Sequence, residues 1–134
     1  MKTLYFLLFF VLTSIVLINP SQANDQSTLC YATAWDHPGN GKGGLGLTAG
    51  QAIELCKGAP LAKEVLQCYR TAWDHPGNGE GGLGLTAGQA VEFCKGVSKS
   101  KKVISCYQTA WDHPGNGKGG LGMTRGQAIE FCKQ

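Results

Sequence analysis

The sequence predicts an all-α protein of three tandem αα-hairpins with a 38-residue period, each stapled by one disulfide and stacked as a short solenoid. One near-identical segment recurs at residues 30–58, 68–96 and 106–134. Each copy begins with a cysteine, carries a second cysteine 26 residues later, and contains start and stop signals for helices. A fixed period of this length is typical of stacked units that are too small to bury a hydrophobic face alone.

The first 23 residues predict a secretory signal peptide. Lys2 gives a positive start, residues 4–18 form an apolar run, and Ser21-Gln22-Ala23 offers small residues at a cleavage site. The apolar run is shorter than the about 20 residues that a membrane-spanning helix needs. We therefore expect a secreted or periplasmic protein with no membrane span after cleavage. Its single repeat domain is predicted at residues 24–134, with units 24–58, 59–96 and 97–134.

Export would place all six cysteines in a compartment that permits disulfides. Cysteine spacing alone does not decide the pairing, and the bonds Cys56–Cys68 and Cys94–Cys106 between units are an alternative. Only pairing within units gives every unit the same bond. We therefore predict the disulfides Cys30–Cys56, Cys68–Cys94 and Cys106–Cys132.

The second half of each copy predicts a helix with a clear start and stop. In the first copy Thr48 and Gln51 have the capping-box spacing, and Gly58 is placed to end the helix in a left-handed conformation. Between them an apolar face of helical period is predicted at Ala49, Ala52, Ile53 and Cys56. Equivalent helices are predicted within residues 86–96 and 124–133.

The first half of each copy also predicts a helix, most clearly in the second unit. Pro60 suits its first turn, and the residue before Pro76 is disfavoured in a helix, which ends it. The predicted apolar face comprises Leu61, Val65, Cys68, Tyr69, Ala72 and Trp73. In an antiparallel hairpin the two cysteines of a unit would then lie side by side.

Each first helix carries a tyrosine and a tryptophan four residues apart, which places both on one face. The pairs are Tyr31 with Trp35, Tyr69 with Trp73, and Tyr107 with Trp111. Because each unit has few large aliphatic residues, we expect these aromatic residues to supply much of the core. The alternative is a ladder of partly exposed tryptophans at the hairpin tips.

The helices of each unit are joined by Asp-His-Pro-Gly-Asn-Gly-x-Gly-Gly-Leu-Gly, at 36–46, 74–84 and 112–122. Glycine, proline and Asn-Gly favour turns, so conformation alone would account for this composition. Gly39, Gly41 and Gly44 match a dinucleotide-binding fingerprint, but that fingerprint follows a strand, and here a helix precedes it. The variable position is lysine, glutamate and lysine in turn, which argues against contact with a charged ligand.

No motif indicates catalysis or a cofactor, because the Asp-His pair lacks a repeated serine and the cysteines are committed to disulfides. We expect no nucleic-acid partner, since the chain without its leader has a net charge of only +2 (+3 less Lys2). We predict a non-enzymatic binding or interaction module that presents three Trp-Asp-His-Pro-Gly-Asn-Gly loops to a protein or glycan partner. The candidate binding residues are Trp35, Asp36, His37, Asn40, Trp73, Asp74, His75, Asn78, Trp111, Asp112, His113 and Asn116.

The alternative function is metal binding by a periplasmic or extracellular protein. Its ligands would be His37, His75 and His113 with aspartates of adjacent loops. One imidazole and one carboxylate per unit are too few for a tight site, so this hypothesis requires sites shared between units.

Overall fold

The computed structural model of the chain describes residues 20–36, 44–74, 82–112 and 119–133. These residues form six helices and no strand, which confirms the predicted all-α class for this part of the chain. The helices are α1 (Pro20–Trp35), α2 (Ala49–Cys56), α3 (Ala62–Trp73), α4 (Ala87–Cys94), α5 (Ser100–Trp111) and α6 (Arg125–Cys132). Within the described ranges, none of the helices combines the length and the apolar composition needed to cross a bilayer.

Each disulfide joins two consecutive helices into a hairpin. Cys30–Cys56 links α1 to α2, Cys68–Cys94 links α3 to α4, and Cys106–Cys132 links α5 to α6. The Cα atoms of the bonded cysteines lie 5.5–5.7 Å apart. The predicted pairing within units and the predicted helical hairpins are therefore confirmed.

The second helix of each hairpin begins and ends where its sequence predicts. The Gln51 amide donates to the Thr48 hydroxyl at 3.3 Å, and the Thr48 amide donates to Gln51 Oε1 at 3.2 Å. The same capping box opens α4 at Thr86 and α6 at Thr124. Gly58 and Gly96 follow α2 and α4 with φ of +68° and +72°, the left-handed stop expected of them.

The predicted buried face of α2 is partly wrong. Ala52 and Cys56 are buried, but Ala49 and Ile53 are exposed, and Leu55 is buried instead. The valine and isoleucine equivalent to Ile53 in α4 and α6 are buried, since α4 contacts α2 and α6 contacts α4. Among the described helices, no hairpin packs on this face of the first unit.

The first helix of the second unit starts two residues later than Pro60 suggested. Leu61 is its N-cap residue and is exposed, so it does not join the predicted core face. Val65, Cys68, Tyr69 and Ala72 are buried as predicted. In the first unit α1 begins at Pro20, ahead of the predicted cleavage site after residue 23.

The first helices of the second and third hairpins are each capped by the preceding hairpin. α1 contacts α3 and α3 contacts α5, while α2 contacts α4 and α4 contacts α6. The N-cap residues of α3 and α5 make no side-chain cap. Instead the Ala62 amide donates to Gln26 Oε1 at 2.8 Å, and the Ser100 amide and hydroxyl donate to Glu64 Oε2 at 2.7 and 2.8 Å. A helix start left uncapped by its own sequence is thus capped by the preceding hairpin.

This capping predicts a specific acid sensitivity. The hydrogen bonds from Ser100 hold the pKa of the Glu64 carboxyl below its ordinary value. Stability from this contact is therefore complete above the ordinary carboxyl pKa of about 4 and is lost as the pH falls through the lowered value. We expect the midpoint of thermal unfolding of the wild type to fall in this acid range. The midpoint of Glu64→Gln should fall less steeply, because glutamine keeps an uncharged acceptor, as Gln26 does in the first unit.

The measurement is thermal unfolding followed by circular dichroism between neutral pH and about pH 2. The pKa of Glu92 is lowered by Lys133 and Lys95, and that carboxylate titrates in both proteins. The difference between wild type and Glu64→Gln therefore isolates the cap. Parallel pH curves for the two proteins would contradict the assignment.

Candidate functional site

The chain returns to the end of each first helix through a Gly-Leu-Gly segment followed by leucine or methionine. In the first unit the amides of Leu45 and Leu47 donate to the carbonyls of Thr33 and Ala34 at 3.1 and 3.0 Å. The same bonds recur at 2.9–3.0 Å in the other two units. Because the last carbonyls of a helix have no intrahelical partner, this return segment serves as the C-terminal cap of the helix.

At two positions of each return segment the backbone conformation requires glycine. A Cβ atom on Gly44 would lie 1.9 Å from the carbonyl oxygen of Asp36, and the equivalent approaches at Gly82 and Gly120 are 2.0 and 1.9 Å. Two residues later, Gly46 has φ of +65°, and its copies are similar. Backbone conformation alone therefore accounts for these two glycines of each loop, as the composition suggested.

The three candidate tryptophans end helices α1, α3 and α5 and are exposed. Trp35 and Trp73 are each 57% exposed, and Trp111 is 47% exposed. The expectation that they belong to the core is wrong. The same expectation holds better for the tyrosines one turn earlier, since Tyr69 and Tyr107 are buried and Tyr31 is partly buried.

The different burial of tyrosine and tryptophan follows from what lies beside each residue. Tyr107 is one turn inside its helix, where Phe93 of the preceding hairpin meets it edge-on with ring centroids 5.4 Å apart. Each tryptophan is the last helical residue, and the segment that returns beside it is rich in glycine. Glycine caps the helix through its backbone and brings no side chain to cover an indole.

The candidate aspartates directly follow the tryptophans and are partly buried. The carbonyl of Asp36 accepts the Gly46 amide at 2.8 Å, and Asp74 and Asp112 accept the equivalent bonds at 2.8 and 2.9 Å. The backbone of each aspartate therefore joins the helix end to the return segment. Both ends of each intervening stretch are held by this bond.

The remaining candidate residues lie outside the described residues: His37, Asn40, His75, Asn78, His113 and Asn116. The described part of the chain, which includes no histidine, contains no group of three or more side chains suited to a metal ion. Metal binding by the histidines stays a prediction.

Arg125 is a residue near these segments that sequence reasoning missed. It stands where the other two units have alanine, and its Nη1 donates to the Gly84 carbonyl at 3.2 Å. This bond places a guanidinium beside the return segment of the second unit. The sequence signal was the departure of a single position from an otherwise repeated helix start.

Comparison with protein-family models, curated proteins and solved structures finds no match to this chain. The geometry itself must therefore indicate the chemistry. An exposed indole offers a flat apolar face and one N–H donor, which suits stacking on a sugar ring or contact with a partner protein.

Proposed function

We propose that this protein is an exported, non-enzymatic binding module whose three hairpins stack in line as a short solenoid. It presents three equivalent Trp-Asp-His-Pro-Gly-Asn-Gly loops to a protein or glycan partner. The observation that carries the proposal is the exposure of the same tryptophan in all three units, beside tyrosines that are mostly buried.

Repeated contacts between hairpins support the in-line stack. The pairs Gln26 with Ala62 and Glu64 with Ser100 are both 36 residues apart. The ion pairs between the second helices, Lys95 with Glu54 and Lys133 with Glu92, are both 41 residues apart. Such recurrence is expected if the second hairpin is related to the first as the third is to the second.

This arrangement gives the tryptophans a regular spacing. Packed helices lie about 8–10 Å apart, so the ends of α1, α3 and α5 would carry three indoles at roughly that interval. Weak contacts multiply when several engage one partner at once. A partner that itself repeats, such as a polysaccharide, gains most from such a row.

The exposure of these side chains has no evident structural use. Single exposed hydrophobic residues are ordinary, but this one occurs at the same position in every unit. Tryptophan is among the residues that contribute most to binding energy in interfaces. The linkers at 59–67 and 97–105 differ almost completely, whereas the tryptophan and the six residues after it are identical in all copies.

The base of each loop is also the same in every unit. The bond from the Gly46 amide to the Asp36 carbonyl, and its two copies, join the chain before and after residues 37–43, 75–81 and 113–118. A binding segment held at both ends loses less freedom when it binds. The three disulfides suit an oxidising compartment. The exposed tryptophan and the bond at the base of the loop each occur three times, which fits repeated binding better than a single catalytic centre.

The test replaces the tryptophans by alanine one, two and three at a time. Binding is measured to insoluble chitin, cellulose and peptidoglycan by co-sedimentation, and to their soluble oligosaccharides by tryptophan fluorescence. We expect each substitution to weaken binding by about tenfold and the triple variant to lose it. Leu29→Ala is the matched control, because Leu29 is as exposed as Trp35 but does not lie at a helix end.

A protein partner is tested by placing a photo-crosslinking residue at Trp73 and, for comparison, at Leu29.

Replacement of His37, His75 and His113 by alanine then asks whether the loops contribute beyond the indoles. A triple tryptophan variant that binds like wild type would remove the basis of the proposal. Stoichiometric metal in protein purified without chelator would favour the metal-binding alternative.

A further inference from the structure

The two ends of the array expose side chains whose equivalents are buried in other units. Leu55 and Phe93 are 0% exposed, whereas Phe131 at the same position of the last unit is 57% exposed. At a second position the pattern reverses, since Ile53 of the first unit is 56% exposed and Val91 is 5% exposed. The first position therefore faces the following hairpin and the second faces the preceding one.

The contact made by Phe93 shows what Phe131 lacks. Phe93 meets Tyr107 of the next hairpin edge-on, with an interplanar angle of 60°. Tyr31 is the equivalent of Tyr107 in the first unit, and it is only partly buried. Phe131 at one end and Tyr31 at the other are thus the two halves of an aromatic pair that exists inside the molecule.

The charges at the two ends are complementary in the same way. Inside the array a glutamate of one hairpin pairs with a lysine of the next, as Glu54 with Lys95 at 3.2 Å and Glu92 with Lys133 at 2.8 Å. The equivalents at the ends are Glu130 on the last hairpin and Lys57 on the first. Glu130 binds Lys133 of its own hairpin at 2.6 Å, as Glu92 binds Lys95 at 2.7 Å in addition to its pair with the next hairpin. Glu130 and Lys57 would form a third pair if the last hairpin of one molecule met the first hairpin of another.

We propose that a second copy of this chain docks head-to-tail on these ends. The last hairpin of one copy packs on the first hairpin of the next and repeats the internal contacts: Phe131 on Tyr31, the uncovered Ile53 buried, and Glu130 beside Lys57. Terminal units of repeat arrays ordinarily present polar outer faces, whereas these ends expose the large apolar side chains of Phe131 and Ile53. The interface is heterologous, so each added copy leaves one free end and growth continues beyond the dimer.

One internal contact does not repeat across such a junction. Glu64 caps α5, but the equivalent residue of the last unit is Lys102, a cation that cannot accept a hydrogen bond from the next helix start. The junction between copies is therefore weaker than the junction between hairpins. We expect association that depends on concentration rather than a permanent oligomer.

The experiment is sedimentation velocity of the exported, disulfide-bonded protein from about 10 μM to about 1 mM, a range that spans weak dissociation constants. The average mass should rise with concentration and pass that of a dimer. Phe131→Glu and Ile53→Glu should each raise the dissociation constant at least tenfold, about 1.4 kcal/mol. Mixed together, these two variants should form dimers and nothing larger, because each retains one intact end.

Leu29→Glu is the control, since its equivalents Gln67 and Ser105 are polar and it does not lie on an end face. A second pair of variants keeps the apolar contacts: Lys57→Glu and Glu130→Lys should each weaken association. Their mixture should associate again and pass the mass of a dimer, because both junctions between unlike copies then join a lysine to a glutamate. The triple tryptophan variant should associate like wild type, which separates this proposal from the loops. A wild-type protein that stays monomeric throughout, or mixtures that stay monomeric, would overturn the proposal.

Discussion

Replacing both Cys68 and Cys94 by alanine should lower the free energy of unfolding by about 3.5 kcal/mol. This value follows from the entropy of closing a chain between cysteines 26 residues apart. Small domains are stable by only about 5–15 kcal/mol, so one staple is a large fraction of the total. Loss of the middle pair should exceed loss of either outer pair, because α3 and α4 contact hairpins on both sides.

Reduction of all three disulfides should abolish cooperative unfolding. Each hairpin has few large apolar side chains, and the gain from burying them nearly cancels the conformational entropy lost on folding. Thermal unfolding followed by circular dichroism, with and without reductant, is the measurement. Cysteine-to-serine variants of the same pairs keep an atom at the sulfur position. They therefore separate loss of the bond from the loss of side-chain volume in the alanine variants. A reduced protein that keeps its helical signal and a sharp transition would show that the staples are incidental.

Gly82→Ala should destabilise the protein by about 3 kcal/mol. The added Cβ would lie 2.0 Å from the Asp74 carbonyl oxygen, a backbone atom that cannot turn away as a side chain could. Relief of this clash requires the return segment to move. The bonds from Leu83, Gly84 and Leu85 to the end of α3 would then be lost together.

Gly88→Ala is the matched control for this prediction. Gly88 lies in α4, and a Cβ there would meet no atom within 4 Å. Alanine favours helix over glycine by up to about 1 kcal/mol, so this substitution should stabilise the protein. Opposite signs for the two substitutions, measured by chemical denaturation, are expected. A neutral Gly82→Ala would show that the return segment accommodates a side chain and that its glycine has another purpose.

Features that depend on neighbours in the sequence, or on the equality of the copies, were predictable. The capping boxes at Thr48, Thr86 and Thr124 are local, since the donor and the acceptor lie three residues apart. Gly58 was predictable because a left-handed stop is a property of one residue. The disulfide pairing followed from the repeat, because only one scheme gives each unit the same bond.

Only the tertiary structure decided which side of each helix is covered. Ile53 and Val91 have similar sequence surroundings and opposite exposure, since burial depends on whether another hairpin lies alongside. Tyr107 is buried because Phe93 of the preceding hairpin covers it, and Trp111 is exposed at the helix end, although helical spacing places both on one face. The caps that Gln26 and Glu64 supply to the next hairpin could not be predicted, because they join helices 36 residues apart. Helical period assigns a residue to a face, and contact with another unit determines whether that face is core or surface.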